Sequence, residues 1–218
     1  MTRSQPHPAK PQPAEQQDWS ITLPVEKVDR RQQIRDVALD MFAREGYANV
    51  SLRHIGERIG VHAGSLYTHL ESKHSLLFEL LQDHLEELLD TVRHRLRRTN
   101  DCIARLEIFV STHIEFQVNQ RPYALLTNLE LRSLQQPHRQ EIKQLLENYR
   151  NCLGEIIEAG KHTGLFQVEH TDIAVRGVLG MLSSVAFWFH EGGQQNRKQI
   201  TKQLSHMVLG ALRQPATR

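Results

Sequence analysis

The stretch Ser51-Leu-Arg-His-Ile-Gly-Glu-Arg-Ile-Gly60, continued by Val61-His-Ala-Gly-Ser-Leu-Tyr-Thr-His-Leu70, leaves the chain few folding choices. Ser51 suits the N-cap of a short helix, because its hydroxyl can accept from a backbone N–H that the helix start leaves free. Leu52, Ile55 and Ile59 then share one helical face. Gly60 permits the positive φ of a tight turn, and Leu66 and Leu70 present a second short helix to the same core. Two short helices joined through a glycine turn make a helix-turn-helix. Upstream, Ile34, Val37, Ala38, Met41 and Phe42 form the stripe of an amphipathic helix that starts after Asp29 and stops at Gly46, so it must pack.

After Ser72 no stretch alternates like a half-buried strand. Leu77, Leu81, Leu85, Leu88, Val92 and Leu96 mark one long helix. Breaks at Asn100-Asp101, Arg121-Pro122, Gln136-Pro137, His162-Thr-Gly164 and Gly192-Gly193 divide the remainder into helices over about 101–119, 122–134, 138–160, 171–190 and 196–212. The expected fold is all-α. Residues 1–28 are a flexible Pro/Gln-rich arm, residues 29–75 a three-helix helix-turn-helix domain, and residues 76–214 a helical bundle.

Function classes can be narrowed. A net charge of +2 decides nothing about nucleic acid, since placement of positive groups matters more than their sum. No run approaches the ~18 apolar residues of a membrane span, and Arg176 interrupts the most apolar one, Val175–Phe189. Cys102 and Cys152 are too few for a disulfide framework, so a cytoplasmic protein with reduced thiols is expected, with a thiol sensor as an open alternative. The thirteen histidines include His54, His62, His69 and His74 without cysteine partners, and His84 with Glu87 as an isolated pair, so no metal site and no cofactor are expected. No nucleophile elbow, phosphate-cradling loop or dinucleotide fingerprint is present, and no catalytic residue is assigned.

The register Arg44-Glu-Gly-Tyr47, Val50-Ser-Leu-Arg-His-Ile-Gly-Glu-Arg-Ile-Gly-Val61, Ser65-Leu-Tyr-Thr-His-Leu70 and Ser72-Lys-His-Ser-Leu-Leu77 resembles the TetR family of transcriptional regulators. The resemblance implies a double-stranded DNA operator as partner. His62, Ala63, Gly64 and Ser65 open the recognition helix and read bases, while Tyr67, His69 and Lys73 hold phosphates. Small residues suit the approach to base edges, and Lys73 sits in a helix first turn whose N–H groups already favour an anion. Two departures stand out. His62 occupies the N-cap position where the family commonly has Ser or Thr, and Ile59 stands where Ala is usual. Arg30 and Arg31 could reach a minor groove, although solvated arginines at a helix start are the commoner case.

The segment Ile173–Phe189 is apolar almost all round. Val175, Val178, Leu179, Leu182, Val185, Ala186 and Phe189 exceed what one small core can take. With Ile200, Leu204, Met207, Val208 and Leu212 they suggest a helix pair meeting its twin in a homodimer, with Gly177, Gly180, Ser183 and Ser184 permitting close approach. Candidate lining for an effector pocket comes from Phe109, His113, Phe116 and Gln117, from Tyr123, Leu126, Thr127 and Glu130, from Tyr149, and from Met181, Phe187 and Trp188. The run Tyr123–Leu134, Gly180-Met-Leu and Phe187-Trp-Phe189 look like a TetR subgroup that responds to acyl-coenzyme A thioesters. A small hydrophobic effector, with acyl-CoA one candidate, is therefore expected, and Arg132 and Arg139 are candidates for its charged end. Two alternatives are a constitutive DNA-binding or architectural protein that no metabolite relieves, and an enzyme built on generic carboxylates.

Overall fold

The computed structural model describes residues 29–190, 192–193 and 195–213, and the arm expected over 1–28 lies outside them. Helix α1 (Arg30–Glu45) starts at Asp29, whose carboxylate accepts from the N–H groups of Arg31 and Gln32, and stops at Gly46 with φ 85°. Helix α2 (Leu52–Ile59) is capped by the Ser51 hydroxyl, which accepts from the His54 N–H at 3.2 Å. Gly60 (φ 73°) closes it, and the Val61 N–H reaches back to the Gly56 carbonyl at 2.9 Å. Helix α3 (Ala63–Leu66) is a single turn, prolonged where the N–H groups of His69 and Leu70 both donate to the Leu66 carbonyl.

The 24-residue helix α4 (Lys73–Leu96) opens with a reciprocal cap: the Ser75 N–H donates to the Ser72 hydroxyl, and the Ser72 N–H to the Ser75 hydroxyl. Then come α5 (Cys102–Asn119), α6 (Arg121–Glu130), α7 (His138–His162), α8 (Thr171–Ser183), α9 (Val185–Trp188) and α10 (Arg197–Arg213). Among the described residues there is no strand. Two expected helices are shorter than the sequence pattern suggests. The one expected over 122–134 ends at Glu130 and gives way to a tighter turn, Leu131–Ser133. The one expected over 171–190 breaks at Ser184, whose hydroxyl donates to the Met181 carbonyl and competes with the helical ladder.

Two apolar clusters hold the fold together. One joins α1, α2, α3 and the first half of α4 to Leu126, Leu134 and Ile142. The other joins the second half of α4 to α5, α7, α8 and α10. Helix α4 therefore belongs to both, and the first cluster runs on to Leu85, past the boundary expected at residue 75. The second cluster also corrects the dimer reasoning. Val175, Val178, Leu182, Val185, Ala186 and Phe189, with Ile200, Val208 and Leu212, are buried in the chain's own core, because α8 and α10 are covered on one side by α5 and α7. Of the residues expected on the dimer face, Met207 stays in solvent, and Ile173, Phe187 and Trp188 of the same region are exposed with it.

Candidate nucleic-acid interface and effector cavity

Leu66 and Leu70 anchor the recognition turn in the core, which leaves its other side to solvent. His62, Gly64, Ser65, Tyr67 and His69 are all exposed, Tyr67 at 60%. Ala63 begins α3 beside them in the chain. His62 occupies the N-cap position without a side-chain hydrogen bond to the helix, so its imidazole is not used up in capping. Next to Tyr67 lies a concave surface formed by Asn49, Ser51, Arg53, Ser72 and Lys73, where the first turns of α2 and α4 converge. Two helix starts, a phenol, a guanidinium and an ammonium share this hollow, with Arg53 paired to Glu57 at 2.8 Å.

Lys73 is held differently from the expectation. Its ammonium donates to the Tyr47 carbonyl and sits 4.0 Å from the centre of the Tyr47 ring. Burial pulls its pKa below the ordinary lysine value, opposed by the charge of Glu130. Glu130, expected in a pocket, instead faces the DNA-binding head: one carboxylate oxygen accepts from the Tyr47 N–H at 3.2 Å, the other from the Ser133 hydroxyl at 2.7 Å. The Tyr47 hydroxyl is hydrogen-bonded to His74 Nδ1 at 2.9 Å. Tyr47 thus gathers contacts from α4 and α6, and its phenol is pushed up to about 12, first by burial and then by Glu130. The last residue of α6 grips the head.

Another face of α6 looks away from the head, although Leu126 and Tyr123 still pack into the head's cluster. Ala124, Thr127 and Asn128, with Leu131 beyond its end, form one wall of a cavity of about 230 Å³. His84, Leu85 and Leu88 of α4, His113 and Gln117 of α5, Leu146, Tyr149 and Arg150 of α7, and Leu179 and Ser183 of α8 complete it. His113 is hydrogen-bonded through Nδ1 to the Tyr149 hydroxyl (2.8 Å) and through Nε2 to the Ser183 hydroxyl (3.2 Å), and burial drives its pKa down to about 3. Desolvation likewise lowers His84, whose Nδ1–H donates to Gln120 Oε1 at 2.7 Å. Both imidazoles are neutral at pH 7, which gives the cavity polar groups without charge. Arg150, the one cationic lining side chain among the described residues, pairs with Glu147.

Residues 34–80 match the profile of the bacterial regulatory proteins of the tetR family, and residues 99–212 match the tetracyclin repressor-like C-terminal domain. The chain belongs to the TetR family. TetR proteins are DNA-binding transcriptional regulators rather than enzymes. Over 194 residues the chain is 28% identical to the HTH-type transcriptional repressor KstR2 of Rhodococcus jostii, covering 87% of this chain and 94% of that protein. It is 25% identical over 139 residues to the fatty acid metabolism regulator protein of Bacillus subtilis, covering 64% and 72%. Among solved structures it is similar to the fatty acid degradation regulator FadR from Bacillus halodurans, with 28% identity, TM-score 0.69, and 86% and 98% of the two chains covered. It shares its fold with KstR2 of Mycobacterium tuberculosis, with 24% identity, TM-score 0.80, and 86% and 96% covered.

Within this TetR framework four of the expected pocket residues, His113, Gln117, Thr127 and Tyr149, do meet around one cavity. The others are engaged elsewhere. Phe109 is fully buried against Tyr149, Leu126 belongs to the head's cluster, and Phe116 and Tyr123 pack on the His84 ring, Tyr123 stacked at 5.2 Å. Met181 lines an apolar groove with Ile173 and Gly177, while Phe187 and Trp188 are exposed, the Trp188 indole donating to the Ser184 hydroxyl. Arg139 donates to the Arg132 carbonyl, and neither arginine lines the cavity. Sequence reasoning missed the contribution of α4. The only available signal was His84, a polar residue at a position in register with Leu77, Leu81 and Leu88.

Proposed function

We propose that the chain is a ligand-released repressor that works as a homodimer on a palindromic operator. The observation that carries the reading is the double role of α6: Ala124 and Thr127 wall the cavity, and Glu130 at the helix end holds the Tyr47 N–H of the DNA-binding head. A ligand that fits only one position of α6 shifts the population toward the matching position of the head. His62, Ala63, Gly64 and Ser65 read bases, and Tyr67, His69 and Lys73 hold phosphates, Lys73 exchanging the Tyr47 carbonyl for a phosphate oxygen. The second copy packs on the exposed side of α8, α9 and α10, where Ile173, Phe187, Trp188 and Met207 lie. Two-fold symmetry then sets two recognition turns about one helical turn of DNA apart.

At about 230 Å³ the cavity is below the ~300–1,000 Å³ usual for ligand pockets, so it takes a small molecule or the tip of a longer one such as an acyl-CoA thioester. Relatives named for fatty acid metabolism and for ketosteroid regulation support a largely apolar effector. The test is footprinting on the DNA that flanks the chain's own gene, repeated with acyl-CoA thioesters, free fatty acids and aromatic compounds. A protected palindrome that one class releases is the expected result. Protection that none of them relieves favours a constitutive DNA-binding protein. Wild-type protection by the Tyr67→Phe, Lys73→Ala double variant refutes the contact assignment.

A further inference from the structure

Two residues that line the cavity, Gln117 and Thr127, each carry a buried side-chain oxygen, Oε1 and Oγ1, with no hydrogen-bond partner among the described residues. Gln117 is 5% exposed, so bulk water does not serve it. Buried amide and hydroxyl groups in folded proteins are nearly always paired, and one left unpaired on a cavity wall marks where a ligand group belongs. One turn along α5 from Gln117, His113 and its partners Tyr149 and Ser183 satisfy one another and offer no charge. From these groups we infer that the buried end of the effector carries a neutral hydroxyl or amide, able both to donate and to accept, rather than the methyl end of an alkyl chain.

The chemistry is directional. Gln117 Oε1 accepts only, so the ligand must bring an O–H or N–H to it, and Thr127 Oγ1 can either accept or donate. With the two side chains turned toward the cavity, one ligand hydroxyl has the donor for Gln117 and the lone pairs for Thr127. An alkyl tail would fill the same volume but leave both atoms as unpaired as they are in the empty cavity, forgoing the hydrogen bonds a hydroxyl gains. A carboxylate would lose its hydration and meet neutral groups, with Arg150 already paired to Glu147.

This inference rests on the reading of the cavity as the effector site, and its test separates the two. Calorimetry on the full-length chain compares 2-naphthol, which donates and accepts, with 2-methoxynaphthalene, which only accepts, and 2-methylnaphthalene, which does neither. The wild type is expected to bind 2-naphthol about tenfold more tightly than either analogue. In the near-isosteric Gln117→Leu, Thr127→Val variant that preference is expected to vanish. Because the substitutions remove unpaired polar atoms, the variant should unfold no earlier than the wild type. Equal binding of all three probes to the wild type, a preference that survives in the variant, or early unfolding of the variant overturns the polar-end assignment and leaves the cavity a ligand site. If none of the three binds the wild type, the effector-site reading falls and this inference with it.

Discussion

Replacing Glu130 by alanine tests the connection between cavity and DNA-binding head. The substitution removes two hydrogen bonds that differ in consequence. The half-buried Ser133 hydroxyl can turn to water, whereas Tyr47 is 5% exposed and its N–H loses its partner. A hydrogen bond to a charged group is worth ~1.5–3 kcal/mol net, and 3.2 Å lies at the long end of the N–H···O range, so a loss of about 1.5 kcal/mol is expected. For a chain of this size that is a fall of roughly 3–6 °C in Tm. Glu130→Gln keeps an oxygen for the Tyr47 N–H and, being neutral, should lose about half as much. The decisive assay is operator binding by fluorescence anisotropy, with and without the effector identified by footprinting. If the contact carries the coupling, the ligand-induced loss of operator affinity shrinks by about tenfold in Glu130→Ala, while ligand affinity stays within a factor of two or three. A variant that unfolds with the wild type and releases DNA as the wild type does would refute the assigned role of Glu130.

Three further outcomes follow from the geometry. A Cβ added at Gly160 would lie 2.0 Å from a ring atom of the buried Phe166, so Gly160→Ala should destabilise by ~1–3 kcal/mol despite alanine's better helix propensity, and Phe166→Leu in the same chain should restore part of it in urea unfolding. The folded chain holds His113 near pKa 3 against about 6.5 unfolded, so below pH 6.5 the unfolded state binds the extra proton. Stability is then complete above pH 6.5 and falls as pH drops toward 3, with His84 adding in the same direction, and His113→Asn should flatten the loss in thermal scans at stepped pH. Ile173→Glu with Met207→Glu alters only exposed side chains, so light scattering should report a folded monomer, and a persisting dimer would move the interface elsewhere.

The DNA-binding head was legible because its signals are local. Ser51, Gly60 and the spacing of Leu52, Ile55, Leu66 and Leu70 each act within a turn or two, and the structure repeats them almost residue for residue. The cavity was legible only in part, since its walls come from five helices far apart in sequence. Leu85 and Leu88 read as core leucines because periodicity cannot tell a core-facing stripe from a cavity-facing one. Glu130 looked like a pocket residue because it shares a helical face with Thr127, yet as the last residue of α6 it stands one turn nearer the head, and its carboxylate is taken up by the Tyr47 N–H. The excess of apolar residues in 173–189 was real, but α5 and α7 absorb most of it, and the uncovered residues are those at the edges of the pattern.

Helix α4 has a mechanical meaning that its two apolar clusters imply. It is one uninterrupted rod of 24 residues, about 36 Å at ~1.5 Å per residue, with His84 and Leu88 at the cavity and Lys73 at the head. Eleven residues separate Lys73 from His84, an arm of roughly 16 Å. A tilt of about 5° about the cavity end swings the tip by more than 1 Å, comparable to the helix shifts of switching proteins. In a two-fold pair the swings oppose each other and add, so a small wedge beside His84 can change the spacing of two recognition turns while leaving each of them intact.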